Sequence, residues 1–321
     1  MNRKGADTTG HMAEGTHLVR DPLKGFVYSL FGTALVSTNF VTAKYGLQGF
    51  NPETFSLIWT VAAAAYTAVI VLITGHLRET YMLPRSALFR IIGMGVATGV
   101  GMILSWQGLA RLDPSFASFL WRFESVLTVV FGVILLRERL LLRELVPMGV
   151  MVSGGLLSTI GRWNIVGVGT ILTMLACCTV TVQLILAKTE SRRVYPDVLV
   201  FYRVAIASAV ITLWTFLIKK ADFHAQPSYW WITLLGAFLG PCASFLLTFR
   251  AYRYWELSRA TIVRTAQPLF VLPMALLFFH EIPKGRGLLG GLLILCGAFW
   301  LTWMHLGGTK KPPGHARIGQ S

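Results

Sequence analysis

Across 321 residues, 54% of side chains are hydrophobic and only 13% are charged, with a positive mean hydropathy, which excludes an ordinary soluble domain. A formal net charge of +15 would suit a nucleic-acid surface. The lysines and arginines, however, are spread singly and in twos and threes over short loops between apolar runs, which argues against nucleic acid as a partner.

Residues 1–20 hold Gly, Thr and His but no apolar core, so they do not read as a signal peptide; they are expected to form a cytoplasmic tail. The first apolar run then serves as its own insertion signal. Ten runs follow, at about 25–43, 54–74, 88–108, 115–136, 144–160, 166–187, 197–218, 229–249, 258–279 and 285–305. Each is close to the length of about 20 residues that crosses a hydrocarbon core. The expected fold is an all-α polytopic membrane protein with ten transmembrane helices, and residues 307–321 form a second cytoplasmic tail. Gly95, Gly99 and Gly101 in the third run, and Gly287 and Gly291 in the tenth, predict close helix contact. Pro241, Pro268 and Pro273 interrupt the eighth and ninth runs, each removing a backbone donor. Tyr229-Trp230-Trp231 reads as an aromatic belt at the membrane boundary.

The fourth run carries Arg122 and Glu124 in its first half. Arg122 falls roughly 12 Å along a helix that starts at Pro114, a depth at which a charge normally faces a protein interior or a wet cavity. Most loop charges lie on one side, including Arg78, Arg85, Arg137, Arg139, Lys188, Arg193 and Arg253. Only Lys44, Arg111, Arg162, Lys219, Lys220, Lys284 and Arg286 fall on the other, so both termini are expected to be cytoplasmic. Arg122, Arg203 and Arg264 remain for the membrane. Cys177, Cys178, Cys242 and Cys296 all sit inside apolar runs without metal-ligand spacing, and the histidines are scattered. No metal and no cofactor are expected.

Shifting the chain by about 144 residues lays Ala43-Lys44 on Ala187-Lys188, Pro52-Glu53 on Pro196-Asp197 and Trp59 on Arg203. Shifting by 143 lays Asp113 on Glu256, Ser115 on Ser258, Ala117-Ser118 on Ala260-Thr261, Glu138 on Glu281 and Gly154 on Gly297. The order is preserved over most of each half, which predicts two five-helix repeats at 20–160 and 164–306. An odd number of spans per repeat inverts the second copy, an arrangement found in transporters that bind substrate near the midplane.

With these pairs laid out, the chain resembles the EamA-type ten-helix permeases of the drug/metabolite transporter superfamily, over nearly everything between residues 25 and 306. Trp59 opposite Arg203, and the charges of Arg122 and Glu124, depart from the usual pattern. The resemblance implies a secondary carrier, commonly an exporter, with a central cavity lined by the first, third and fourth helices of each repeat. It implies no enzyme, and a bacterial inner membrane.

The repeat alignment sets Trp121 on Arg264 and Glu124 on Gln267, and both pairs are spaced i, i+3 on one helix face. That face is expected to line the cavity, with Glu124 opposed to Arg264. Arg264 would receive an anionic group through its planar fork, and Glu124 an ammonium or a coupling proton. A structural ion pair is the alternative. Arg122 has three readings: substrate contact, a headgroup partner, or an acceptor on a neighbouring helix. Asn39, Gln183 and Gln267 supply amides as cavity lining or as helix-to-helix hydrogen bonds, and Trp106 and Trp121 supply rings that stack on a ligand or pack. Arg203, roughly 10 Å past Pro196, reads as a packing or anchoring residue rather than one that recognises substrate.

The expected partners are a small-molecule substrate and the lipid bilayer; a coupling proton and a homodimer are left open. A small zwitterionic or anionic metabolite is the first substrate class. A cationic drug held by Glu124 and a non-transporting receptor are the alternatives.

Overall fold

A computed structural model describes residues 21–136 apart from 82, then 143, 146, 147, 149, 150, 153, 154 and 157, then 167–307 apart from 192, 265 and 280–284. The expected tails, most of the fifth run, and Glu138 and Glu281 lie outside the described residues. Among those described, every regular element is helical.

Local chemistry sets the helix ends. Helix α1 (Pro22–Gly49) starts at a proline whose missing N–H is an orphan in any case, and the Asp21 side chain accepts from Lys24 N–H at 3.1 Å. Helix α2 (Pro52–Thr74) repeats the device, with Asn51 accepting from Thr54 N–H at 2.8 Å, and stops at Gly75, whose φ of 77° suits glycine. A short helix α3 (Leu77–Tyr81) leads to α4 (Arg85–Ala110). The chain then enters α5 (Pro114–Leu120) and α6 (Arg122–Leu136). The second half begins with α7 (Val168–Glu190) and α8 (Pro196–Ile218), again opened by a proline. Next come α9 (Pro227–Ala237), a π-helical segment (Phe238–Ser244) and α10 (Phe245–Tyr254). Helices α11 (Leu257–Arg264), α12 (Gln267–Phe279) and α13 (Arg286–Gly307) complete the chain.

Seven of these stretches are long and apolar enough to cross a membrane: 23–49, 52–74, 85–110, 116–136, 168–190, 196–218 and 227–254. Two shorter apolar helices, Leu269–Phe279 and Leu288–Gly297, fall within the ninth and tenth expected spans. The eighth span is not the simple helix expected at 229–249. Pro241 cannot donate to the ladder, and the backbone accommodates it by widening into a π-helical turn within one long apolar stretch. The fourth and ninth spans are also broken. Trp121 forms a turn between α5 and α6, marked by an i to i+3 bond from Glu124 N–H to its carbonyl at 3.1 Å. At the matching place of the second half the helix ends at Arg264 and restarts at Gln267, because Pro268 has no N–H for the Arg264 carbonyl.

Apolar and polar side chains are sorted as lipid requires. Phe31, Val69, Phe89, Ile134, Leu213, Phe216 and Trp303 are exposed, whereas Thr33, Ser37, Thr60, Thr98, Glu124, Arg203 and Gln267 are buried. Two apolar clusters form the core. One takes Val36, Val71, Ile91, Met94, Leu184, Leu199 and Phe249; the other takes Phe40, Phe55, Trp59, Trp106, Leu109, Phe116 and Ala237. Because α1, α2 and α4 run alternately up and down, the residues they give to each cluster lie at one end of the bundle.

The halves of the chain are interleaved. Helix α4 packs on α7 and α8, α2 on α8, and α1 on α9, the π segment and α10. Small residues permit this closeness: a Cβ on Gly95 would stand 2.5 Å from Ile206 Cβ, and one on Gly101 would stand 2.6 Å from Thr179 Oγ1. The paired lysines then do the same job twice. Lys44 Nζ donates to the carbonyls of Leu109 and Leu112 at 3.2 and 2.8 Å, at the end of α4. Lys188 Nζ donates to those of Tyr252 and Trp255 at 2.9 and 2.6 Å, at the end of α10. A cation at a helix C-terminus meets the negative end of its dipole.

Candidate functional site

Where the two apolar clusters meet, a cavity of about 80 Å³ opens. Its wall comes from both halves: Asn39 and Phe40 of α1, Thr98, Met102, Ser105 and Trp106 of α4, Trp121, Val180 and Gln183 of α7, Arg203 of α8, Phe245, Arg264 and Gln267. Asn39, Trp106, Trp121, Gln183, Arg264 and Gln267, all expected at the site, thus stand on one wall. The side chain of Arg122 lies outside the described residues. Glu124 is not on the wall but buried behind it.

The helix breaks explain that division. The expected i, i+3 face assumed one continuous helix, whereas the turns at Trp121 and after Arg264 interrupt both. Glu124 consequently falls in the first turn of α6 and Arg264 in the last turn of α11. A carboxylate is favoured at a helix N-terminus and a guanidinium at a C-terminus, so the breaks supply partial charges that offset burial. Arg264 Nη1 lies 3.8 Å from Glu124 Oε1, and the Thr128 hydroxyl donates to the same oxygen at 3.0 Å. Thr128 in turn meets Thr181 of α7 at 3.4 Å. The pair is an electrostatic link between the halves, with Arg264 on the cavity wall and Glu124 behind it.

Arg203, expected to pack or to anchor, is 1% exposed and faces the cavity. Nη2 donates to the Pro241 carbonyl at 2.7 Å, and the guanidinium carbon lies 3.5 Å from the centroid of the Phe245 ring. Phe245 N–H bonds the Cys242 carbonyl, and the Pro241 carbonyl within the π segment accepts from Arg203. Counting residues along α8 measured depth but not direction. The usable signal was the alignment with Trp59, which is itself wholly buried against Phe55 and Trp106 at centroid distances of 5.0 and 5.3 Å.

Four buried polar atoms on this wall have no hydrogen-bond partner among the described residues: Arg203 Nε, Trp106 Nε1, Gln183 Nε2 and Asn39 Oδ1. Asn39 is held there by Gly240, on which a Cβ would stand 1.8 Å from Asn39 Oδ1.

At the end of the bundle where α2 finishes, a second polar cluster joins the halves. His76 Nδ1 stands 2.6 Å from Asp197 Oδ2, which also accepts from the Thr74 hydroxyl at 2.5 Å. The His76 ring stacks on Tyr195 at 3.9 Å, and the Arg253 guanidinium lies 5.1 Å from the Tyr195 ring centroid. Burial raises the Glu79 carboxyl above its ordinary range. Among the described residues, no group of three His, Cys, Asp or Glu could hold a metal ion.

An all-helical bundle with an apolar exterior, buried charges and a central cavity walled by both halves has the architecture of a multi-pass membrane transporter. The family model of the EamA-like transporters matches residues 23–160 and again 167–303, and the chain belongs to that family. A protein of Sinorhizobium sp described as an uncharacterized transporter in the cobO 3' region is 29% identical over 131 residues, which are 40% of this chain and 92% of that protein. A solved crystal structure superimposes with a TM-score of 0.68 at 15% identity, covering 90% of this chain and 99% of that one, and shows the likeness of fold.

Proposed function

We propose that the protein is a secondary carrier that exports a small metabolite, an amino acid or organic acid, across the inner membrane by alternating access. The observation that carries this reading is the cavity at the meeting of the two family units, with wall residues from both. Ten spans form two inverted five-helix repeats, and rocking of one against the other opens the cavity to each side in turn. The pairing of Lys44 with Lys188, each capping the third helix of its own half, supports the duplication. The loop charges support cytoplasmic termini. Glu124 takes the coupling proton: protonated, it no longer holds Arg264, and the link between the halves loosens.

A cationic drug is the weaker alternative, since Glu124 is turned to Arg264 and Thr128 and does not reach the wall. The test is counterflow in proteoliposomes with a labelled pool of amino acids and small organic acids, at two pH values. A transient accumulation of at least one solute, with a pH dependence that Glu124→Gln removes, is expected. No movement of any solute by well-folded protein would overturn the carrier reading.

A further inference from the structure

The wall of the cavity narrows the solute further. Its two arginines are not equivalent. Arg264 faces the Glu124 carboxylate across 3.8 Å. Arg203 has no carboxylate partner among the described residues; its contacts are the Pro241 carbonyl and the Phe245 ring, neither of which neutralises it, and its Nε is unpartnered. A guanidinium in a low-dielectric interior is costly without a counter-charge. Among the described residues, Trp106 Nε1 and Gln183 Nε2 add two more unpartnered buried donors on the same wall, and Asn39 Oδ1 is a buried acceptor without a partner. Buried donors left unpaired around an open space call for a ligand that accepts from them. The remaining wall is mostly apolar, with Val36, Phe40, Met102, Leu109, Val180 and Phe245, and adds the polar side chains of Thr98, Ser105 and Gln267.

Resting on the carrier reading above, we propose that the solute is a small monocarboxylate with an apolar body and no ammonium group, and that Arg203 receives its carboxylate. Two oxygens of a carboxylate match the donors of Arg203, with Trp106 and Gln183 supplying the further hydrogen bonds. Among the described residues, the wall includes no Asp or Glu to receive an ammonium, which sets the site against amino acids and amines. A cavity of about 80 Å³ has room for on the order of six waters, so the ligand has about that number of heavy atoms.

Four probes share one branched apolar body: isovalerate, isovaleramide, leucine and isoamylamine. Their binding to the full-length protein in detergent is measured by titration calorimetry. Isovalerate is expected to bind at least about tenfold more tightly than each of the other three, because isovaleramide and isoamylamine lose the charge-assisted hydrogen bond to the carboxylate, and leucine, which keeps it, buries an ammonium with no counter-charge. Arg203→Gln should abolish the preference for isovalerate over isovaleramide while leaving the weak binding of isovaleramide in place, a split that a purely structural arginine would not produce. Should Arg203→Gln fail to fold, Trp106→Phe removes one donor while keeping a ring, and should lower isovalerate affinity about threefold to tenfold. Tightest binding of leucine or isoamylamine, an unchanged preference in the folded variants, or no binding of any probe would each overturn the proposal. The carrier reading is judged separately: a solute that moves in counterflow while these probes fail removes only the monocarboxylate assignment.

Discussion

Arg264 Nη1 and Glu124 Oε1 stand 3.8 Å apart at two mid-span helix ends, one from each half of the chain, and both side chains are almost wholly buried. Breaking such a pair from one side strands the other charge. Glu124→Gln or Arg264→Gln alone should destabilise the protein by about 3–5 kcal/mol, whereas the double variant should recover at least half of that loss. Thermal unfolding of the three variants in detergent checks this. Additive losses would show that the two residues act independently.

Lys44 and Lys188 stand at equivalent places in the repeats and close the ends of α4 and α10. Replacing either by Met should cost about 1–2 kcal/mol through lost carbonyl bonds and dipole compensation. The larger effect is expected at Lys188, which is buried where Lys44 is half-buried. Chemical denaturation of the two single variants measures both.

Gly240 lies against Asn39, and a Cβ there would stand 1.8 Å from Asn39 Oδ1. Gly240→Ala should therefore push Asn39 into the cavity, lower stability by about 1–3 kcal/mol and weaken solute binding. Gly149→Ala is the control, since a Cβ at that position meets nothing within 4 Å among the described residues. Equal transport and stability in the two variants would contradict this packing.

Glu79 has a carboxyl pKa raised by burial, with His76, Asp197 and Arg253 as its titratable neighbours. A native pKa above the unfolded value means that the carboxyl favours folding relatively more at low pH, and that this contribution is lost as pH rises through the native value. Glu79→Gln should thus match wild type below about pH 4.5 and exceed it at pH 7, by about 1–2 °C in Tm given the partial exposure of the site. Unfolding curves across that range give the sign directly.

Much of the architecture was legible in the sequence because lipid imposes a length on every apolar run, and because duplication leaves pairs such as Ala43-Lys44 and Ala187-Lys188. Capping residues Asn51 and Pro52, and Pro196 in the second copy, likewise announce where helices begin. Direction around a helix was not legible. A membrane helix is apolar on its lipid face and its packed face alike, so periodicity does not say which way Arg203 points. The breaks at Trp121 and after Arg264 were also hidden. Trp121 carries no breaking residue nearby, and Pro268 marks the second break only once the N–H it lacks is matched to the Arg264 carbonyl. Those breaks moved Glu124 from the cavity wall to the pair behind it.

The central claim is that the cavity between the two family units opens alternately to both sides of the membrane. Ser105 lines it and is buried, so Ser105→Cys, in a chain with Cys177, Cys178, Cys242 and Cys296 replaced, places one thiol on its wall. Labelling with a membrane-impermeant thiol reagent is then compared in right-side-out and inside-out vesicles. The account predicts modification from both sides, at rates that a transported solute lowers. Modification from one side only, or from neither in a protein that still transports, would contradict it.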